Sequence, residues 1–258
     1  MTSFAERLLT PALRGRFAEL AAQQAELRIL SQLLGPTETA YWIHSIGVCR
    51  DAGLARLLPP PPPRELRAAV SHAEPELFLA TGLDDARRVH EVVARFGDAP
   101  VSMVLDFGAG CGRVARFLAA GEPAWRVHAC DPDAAHVAWC REHLPRVVAR
   151  ESPRQPPLPY GGGAFDFVFA VGVFTQLPER SGMAWLAEVA RVTRPGGLIV
   201  VSVHGETALR TIAGSPALQD VFRVSARDAG DLQSRLDSAG WLFVQHDAEG
   251  LRLARAEG

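Results

Sequence analysis

The stretch Val101-Ser-Met-Val-Leu-Asp-Phe-Gly-Ala-Gly-Cys-Gly-Arg-Val-Ala-Arg-Phe-Leu118 constrains the fold of this chain more than any other. Its apolar run from Val101 to Leu105 reads as a short buried strand that ends in an acid, Asp106. Gly108, Gly110 and Gly112 then form a tight turn, after which Val114, Phe117 and Leu118 recur at helical spacing. Strand, glycine turn and helix in that order put backbone N–H groups and a helix N-terminus at the carboxyl end of a strand, where a ligand can sit. The spacing is G-x-G-x-G, and Arg113 stands where a dinucleotide fingerprint wants its third glycine. A carboxylate at Asp106 repels a pyrophosphate and suits an ammonium group, so the expected ligand is cationic at one end.

On these residues the stretch resembles motif I of the class I S-adenosylmethionine-dependent methyltransferases. The resemblance implies S-adenosyl-L-methionine as cofactor. Asp106, Phe107, Gly108, Ala109, Gly110 and Arg113 would then hold its amino-acid end. A nicotinamide-dependent oxidoreductase on the same fold is the competing reading, and Asp106 and Arg113 argue against it. A non-catalytic cofactor-binding or scaffold protein is a third.

Strands and helices alternate from Ala99 onward, which is the pattern of a parallel sheet. Trp125 to Asp131 is a second strand ending in an acid, near the offset of about 20 residues at which a carboxylate accepts ribose hydroxyl bonds. Pro132 and Asp133 open a helix through His143. Arg146 to Arg150 is a third strand, and the resemblance puts adenine contacts at Glu151 and Ser152. Four prolines and Gly161-Gly-Gly163 make the next loop. Ala164 to Pro178 is a fourth strand, buried on both faces, and then its loop, with Asp166 at the strand start in a structural role. This stretch resembles the motif IV region of the family, which brings Val171, Gly172 and Gln176 beside the cofactor. Gln176 replaces a frequent histidine there and cannot act as a base.

The segment Leu186 to Val203, LAEVARVTRPGGLIVVSV, closely resembles the helix–RPGG–strand unit of the same family. A helix is expected over 179–193 with Met183, Leu186, Ala187, Ala190 and Val192 as its apolar positions. RPGG ends it, and the fifth strand runs from Leu198 to Val203. His204 emerges at the carboxyl end of that strand and is the first candidate for a general base. Residues 205–224 read as an irregular, substrate-covering insertion. A last helix over 225–239 precedes an antiparallel hairpin of Trp241–His246 and Leu251–Ala254. The resemblance implies a Rossmann-like, doubly wound α/β sheet of seven strands in order 3-2-1-4-5-7-6, the last antiparallel.

Residues 1–98 read as an N-terminal helical cap and substrate region; 99–258 would be the cofactor-binding methyltransferase domain. Ser3 and Glu6 have capping-box spacing, and Thr10 caps a helix with Pro11 in its first turn. Leu13, Phe17, Leu20, Leu27, Leu30 and Leu34 follow one helical face up to Gly35-Pro36. Tyr41, Trp42, Ile46 and Cys49 suggest another helix, Pro59 to Pro63 a stiff linker, and Leu83 to Phe96 one more helix. Tyr41, His44, His72 and Phe78 are the candidate substrate contacts of this region.

Composition removes other classes. Formal net charge is −2 over 258 residues, which gives no polyanion-binding surface, and no Asn/Asp-Pro-Pro-Tyr/Phe motif follows the fourth strand. Nucleic acid is therefore not the expected partner. No apolar run nears the ~20 residues of a membrane helix. Every one of the 27 basic residues is arginine, so a catalytic lysine is excluded. Cys49, Cys111, Cys130 and Cys140 lack metal-ligand spacing and fit a reducing cytoplasm. The expected activity is methyl transfer to an oxygen or nitrogen of a small-molecule metabolite by in-line displacement. The sequence leaves the acceptor open, and assembly as well, a homodimer being one option.

Overall fold

The computed structural model describes residues 3–239, 244–247 and 250–253. Two compact units are present: residues 1–171 with 187–200, and residues 172–186 with 201–258.

The first unit opens with helices α1 (Phe4–Arg7), α2 (Pro11–Gln23), α3 (Ala25–Leu33) and α4 (Pro36–Tyr41). A single wide turn of π-helix, Trp42–Gly47, leads to α5 (Val48–Arg50) and α6 (Ala52–Leu57). After the proline run come α7 (Arg64–Val70) and α8 (Pro75–Phe96). The capping box at Ser3 forms in both directions, and Thr10 accepts from the Leu13 N–H. The long leucine face is interrupted. Gln24 is extended, so the predicted single helix becomes α2 and α3. Leu13, Phe17, Leu20 and Leu27 are buried, whereas Leu30 is 41% exposed. The helix expected from Leu83 begins more than two turns earlier, at Pro75, whose fixed φ suits a first helical position.

Strands β1 (Met103–Phe107), β2 (Arg126–Asp131), β3 (Val147–Glu151), β4 (Phe165–Ala170) and β5 (Thr193–Val201) form a parallel sheet in the order 3-2-1-4-5. Helices α9 (Ala115–Gly121) and α10 (Ala134–His143) supply the crossovers from β1 to β2 and from β2 to β3. Strand order reverses between β1 and β4, so the carboxyl ends of these two strands flank a crevice suited to a ligand. The leader shares this core: Phe4, Leu8, Phe78 and Leu83 pack in one cluster with Val104, Phe117, Val127 and Phe167.

Asp166 fastens three strand beginnings together. One carboxylate oxygen accepts from the Ser102 N–H at 2.9 Å, the Ser102 hydroxyl at 2.9 Å and the Met103 N–H at 2.8 Å. The other accepts from Arg194 Nε at 2.8 Å. RPGG does not precede β5 as expected but lies inside it, since the strand starts at Thr193. Gly196 takes φ 72°, a left-handed conformation that bends the strand where the helix-to-strand turn was expected. Helix α11 (Glu179–Val192) buries Trp185, Glu188, Val189 and Val192, whereas Met183 is 60% exposed and Leu186 39% exposed. The inward stripe is thus rotated from the predicted one. Its anchor is Glu188, whose carboxylate accepts from the Leu158 N–H at 2.6 Å and pairs with Arg191.

In the second unit, the stretch expected to be irregular is helical: α12 (Glu206–Ala213) and α13 (Pro216–Phe222). Ser215 caps α13 with Pro216 in its first turn, and Ile212, Val224 and Ala229 close a small core with α14 (Ala226–Ala239). Strands β6 (Val244–Asp247) and β7 (Gly250–Leu253) pair antiparallel as a two-stranded sheet. Of the expected hairpin, Trp241 to Phe243 and Ala254 lie outside the described residues. The anticipated seven-strand order is therefore seen in its first five strands, and the hairpin as a sheet of its own. No helix among the described residues is long and apolar enough to cross a membrane.

Candidate functional site

β1 delivers Asp106 to its carboxyl end and the chain then turns sharply. Gly108, Gly110 and Gly112 take φ of 73°, 53° and 74°, which L side chains rarely adopt. The turn is held against β2, because the N–H groups of Gly108 and Ala109 both donate to the Cys130 carbonyl, at 2.9 and 3.0 Å. Gly110 donates its N–H to Asp131 Oδ2 at 2.8 Å. The first acid, the glycine loop and the second acid are thereby drawn into one site.

The two acids differ in environment. Asp106 is buried, and its Oδ2 has no hydrogen-bond partner among the described residues. Burial pushes its carboxyl up to about 8, against the opposing pull of the Arg113 charge and the Ala115 backbone. An orphaned buried carboxyl oxygen is a receptor for a cation or a hydrogen-bond donor. Burial would raise Asp131 as well. The His136 ring and the Asp133 and Gly110 N–H groups outweigh it and keep that carboxyl below its ordinary value. Asp131 is thus an ionised acceptor suited to a pair of hydroxyls. Asp133 caps α10 through the Ala135 N–H at 2.8 Å, which leaves Asp131 free of the capping role.

The other predicted contacts of the first unit lie along the same rim. Pro132 follows Asp131 on the surface, Glu151 is exposed opposite Asp131 in register, and buried Ser152 donates its N–H to the Asp131 carbonyl at 3.0 Å. Val171 follows β4 and is half-buried, and Phe107 is buried. Arg113 does not reach Asp106 directly; it pairs with Asp85 of α8 at 2.7 Å. Gly172, Gln176 and His204 belong to the second unit. There Gly172 takes φ 77°, donates its N–H to the Ser202 hydroxyl at 2.7 Å and accepts from Gln176 Nε2 at 2.7 Å. Gln176 is thereby engaged in its own loop, and His204 is exposed.

The four leader candidates separate. Phe78 is fully buried in the core, which corrects its expected place beside a substrate. His44 is also buried. Its Nε2 bonds the Leu8 carbonyl at 3.1 Å and burial pushes the imidazole down to about 4, so it serves packing as a neutral ring. Tyr41 is half-buried and its hydroxyl bonds Asp84 at 3.3 Å. His72 lines an open cleft of about 460 Å³, together with Ser71, Thr81, Asp84, Asp85, Arg88 and Arg113.

Two features had no sequence signal. Helix α7 lies on the glycine loop: a Cβ built on Gly110 would stand 2.4 Å from Val70 Cγ1, and the Cys111 thiol donates to the Leu66 carbonyl at 3.7 Å. The proline run leading into it is clamped by two buried arginines. Arg116 Nη2 donates to the Pro60 carbonyl at 2.9 Å, and Arg67 binds the carbonyls of Pro62 and Ala73. The second feature is His136, buried on α10 with its Nδ1 3.5 Å from Asp131 Oδ1.

Residues 104–197 match a family profile described as a methyltransferase domain. A demethylmenaquinone methyltransferase of Mycolicibacterium vanbaalenii is 30% identical over 170 residues, which cover 57% of this chain and 71% of that protein. The enzyme of the same name from Beutenbergia cavernae is 30% identical over 191 residues, 64% of this chain and 76% of the relative. A solved methyltransferase of Aquifex aeolicus is 23% identical over 52% of this chain and 68% of its own, at a TM-score of 0.39. The orphaned carboxyl of Asp106 fits the ammonium of S-adenosylmethionine, the ionised Asp131 fits its ribose diol, and by its relatives the chain belongs to the class I S-adenosylmethionine-dependent methyltransferases.

Proposed function

We propose that this methyltransferase modifies an oxygen or nitrogen nucleophile of a small-molecule metabolite by in-line displacement, and that Asp106 and Asp131 grip the two ends of the cofactor. The observation that carries the reading is the orphaned, buried Asp106 carboxyl beside a glycine loop that donates to Asp131. When bound, S-adenosylmethionine supplies a methyl group already activated on a sulfonium. Asp106 receives the ammonium and gives up its proton to do so. Asp131 orients the ribose, while Glu151 and Ser152 border the adenine edge. Rigid placement of both reactants, with water excluded, supplies much of the rate, in principle ~7–11 kcal/mol.

Residues 1–98 cover the cofactor loop and residues 99–258 bind the cofactor in this reading. Helix α7 and the cleft at His72 support that division, since leader residues pack on Gly110 and line a polar opening beside Arg113. The cleft carries both charges and two hydroxyls, which suits a polar acceptor. His204, at the chain position just after β5, takes the acceptor proton where the nucleophile is a hydroxyl. Small-molecule chemistry is supported by the demethylmenaquinone methyltransferases among its relatives, and a reducing compartment by four free cysteines.

Calorimetric titration with S-adenosylmethionine, S-adenosylhomocysteine and NADH tests the cofactor grip. Micromolar binding of the first two by the unmodified chain, lost in Asp106→Ala, is the expected outcome. Unchanged affinity in Asp106→Ala would remove the assignment of that acid.

A further inference from the structure

His136 is the third residue of α10, in its first turn, and its ring lies beside Asp131. It is buried, and neither ring nitrogen has a hydrogen-bond partner among the described residues. Nδ1 lies 3.5 Å from Asp131 Oδ1, an ion-pair distance too long for a strong hydrogen bond, and both side chains are largely sequestered from water. A buried imidazole with two unmet nitrogens is costly unless a partner is taken up in another state of the site.

The groups around the ring are all acceptors. Asp131 comes from the end of β2, Asp133 from the turn before α10, and the backbone of Leu66 from α7; all three favour the protonated ring. A neutral imidazole has one N–H and one lone pair, so it must present that lone pair to one of these acceptors. Only the imidazolium donates from both nitrogens. Asp131 in turn needs its donors, because a carboxylate that orients a diol must itself be oriented. Gly110 N–H holds Oδ2 at 2.8 Å, and Asp133 N–H holds Oδ1 at 2.9 Å.

We propose that His136 is a positioning residue for the cofactor: its imidazolium closes onto Asp131 Oδ1 when the ribose binds and fixes the carboxylate between Gly110 and α10. The inference rests on the reading of Asp131 as the ribose acceptor. It makes cofactor affinity depend on a proton that never touches the cofactor. Asp106 also titrates near neutrality, but its contribution is common to the unmodified chain and to His136 variants and cancels in their comparison.

The test uses the full chain and S-adenosylhomocysteine as probe. Its dissociation constant is measured by calorimetry from pH 6 to pH 8 for the unmodified protein, His136→Gln and Asp131→Asn. The unmodified chain should lose about tenfold in affinity across this range beyond any loss in His136→Gln, the scale of one hydrogen bond to a charged group. On the unmodified chain, the C2–H resonance of His136 in NMR should titrate at a higher pH with the probe bound than without it. This second measurement stands even where a variant folds poorly. A His136→Gln profile parallel to the unmodified one, or a His136 titration indifferent to the probe, overturns the inference while leaving the ribose reading intact. Asp131→Asn binding the probe as tightly as the unmodified chain would overturn both.

Discussion

Replacing Gly110 with alanine tests whether α7 rests on the cofactor loop. The substitution meets two separate obstacles. Gly110 has φ 53°, and a side chain in that left-handed region costs about 1–2 kcal/mol. The added methyl would also stand 2.4 Å from Val70 Cγ1 and 3.2 Å from Val70 Cβ, an overpacking that costs about 1–3 kcal/mol. Gly110→Ala alone should therefore destabilise by about 2–5 kcal/mol. Val70→Ala alone removes two half-buried methyls and should cost about 1 kcal/mol. Combined, the substitutions leave the backbone cost and the 3.2 Å approach to Cβ of residue 70, and remove the collision with Val70 Cγ1. The coupling between them is then favourable by about 1–3 kcal/mol. Urea unfolding of the four proteins at pH 7 gives the cycle directly. S-adenosylhomocysteine titrations on the same samples report whether the loop regains its shape, because Gly110 N–H is one of the two donors that orient Asp131. A coupling of zero would refute the reasoning, since it would mean that α7 is not seated on the loop.

Other expectations concern the two flanking acids and the candidate base. Asp166→Ala should cost about 2–4 kcal/mol in urea unfolding, because Ser102, Met103 and Arg194 lose a shared carboxylate. Burial would raise this carboxyl, but the Met103 and Ser102 N–H groups and Arg194 hold it well below its ordinary value. Its stabilisation is therefore complete above about pH 4 and fades as pH falls below that, so the substituted chain should lose less than the parent between pH 5 and about pH 2. Asp106 has the opposite sign. With its carboxyl pushed up to about 8, the folded chain holds a proton that the unfolded chain releases near pH 4, so stability in the absence of cofactor should decline from about pH 4 to about pH 8. Asp106→Asn should flatten that decline, and an unchanged slope in thermal unfolding would assign the proton elsewhere. His204→Ala should spare S-adenosylhomocysteine binding and slow transfer to a hydroxyl acceptor by about 10²-fold. Turnover at the parental rate would remove it as base.

Periodicity and punctuation carried the secondary structure wherever the signal was local. Caps at Ser3 and Thr10 formed as their spacing demands, and the glycine loop took the positive φ values that its residues permit. Misreadings fell where a partner distant in sequence decides. The inward face of α11 is set by Glu188 binding the Leu158 N–H, and a buried glutamate cannot be chosen from an apolar pattern. Residues 206–222 looked irregular because two short helices broken by Gly214 and Ser215 offer too few turns for a period to appear. Phe78 looked like a pocket residue only because an aromatic side chain serves a core and a site equally well in sequence.

The sequence by itself determined the five strands in order, the acids that end β1 and β2, and the backbone freedom of the turn between them. Each depends on neighbours within a few residues, through side-chain alternation, helix caps and the missing Cβ of glycine. Tertiary structure decided what those acids became. Asp106 holds its proton because the packed core strips it of water, and Asp131 stays ionised because Gly110, Asp133 and His136 converge on it. It also laid α7 on the glycine loop and left His136 between a carboxylate and the Leu66 backbone. Burial and convergence are properties of surfaces brought together by folding, and residue spacing carries no record of them.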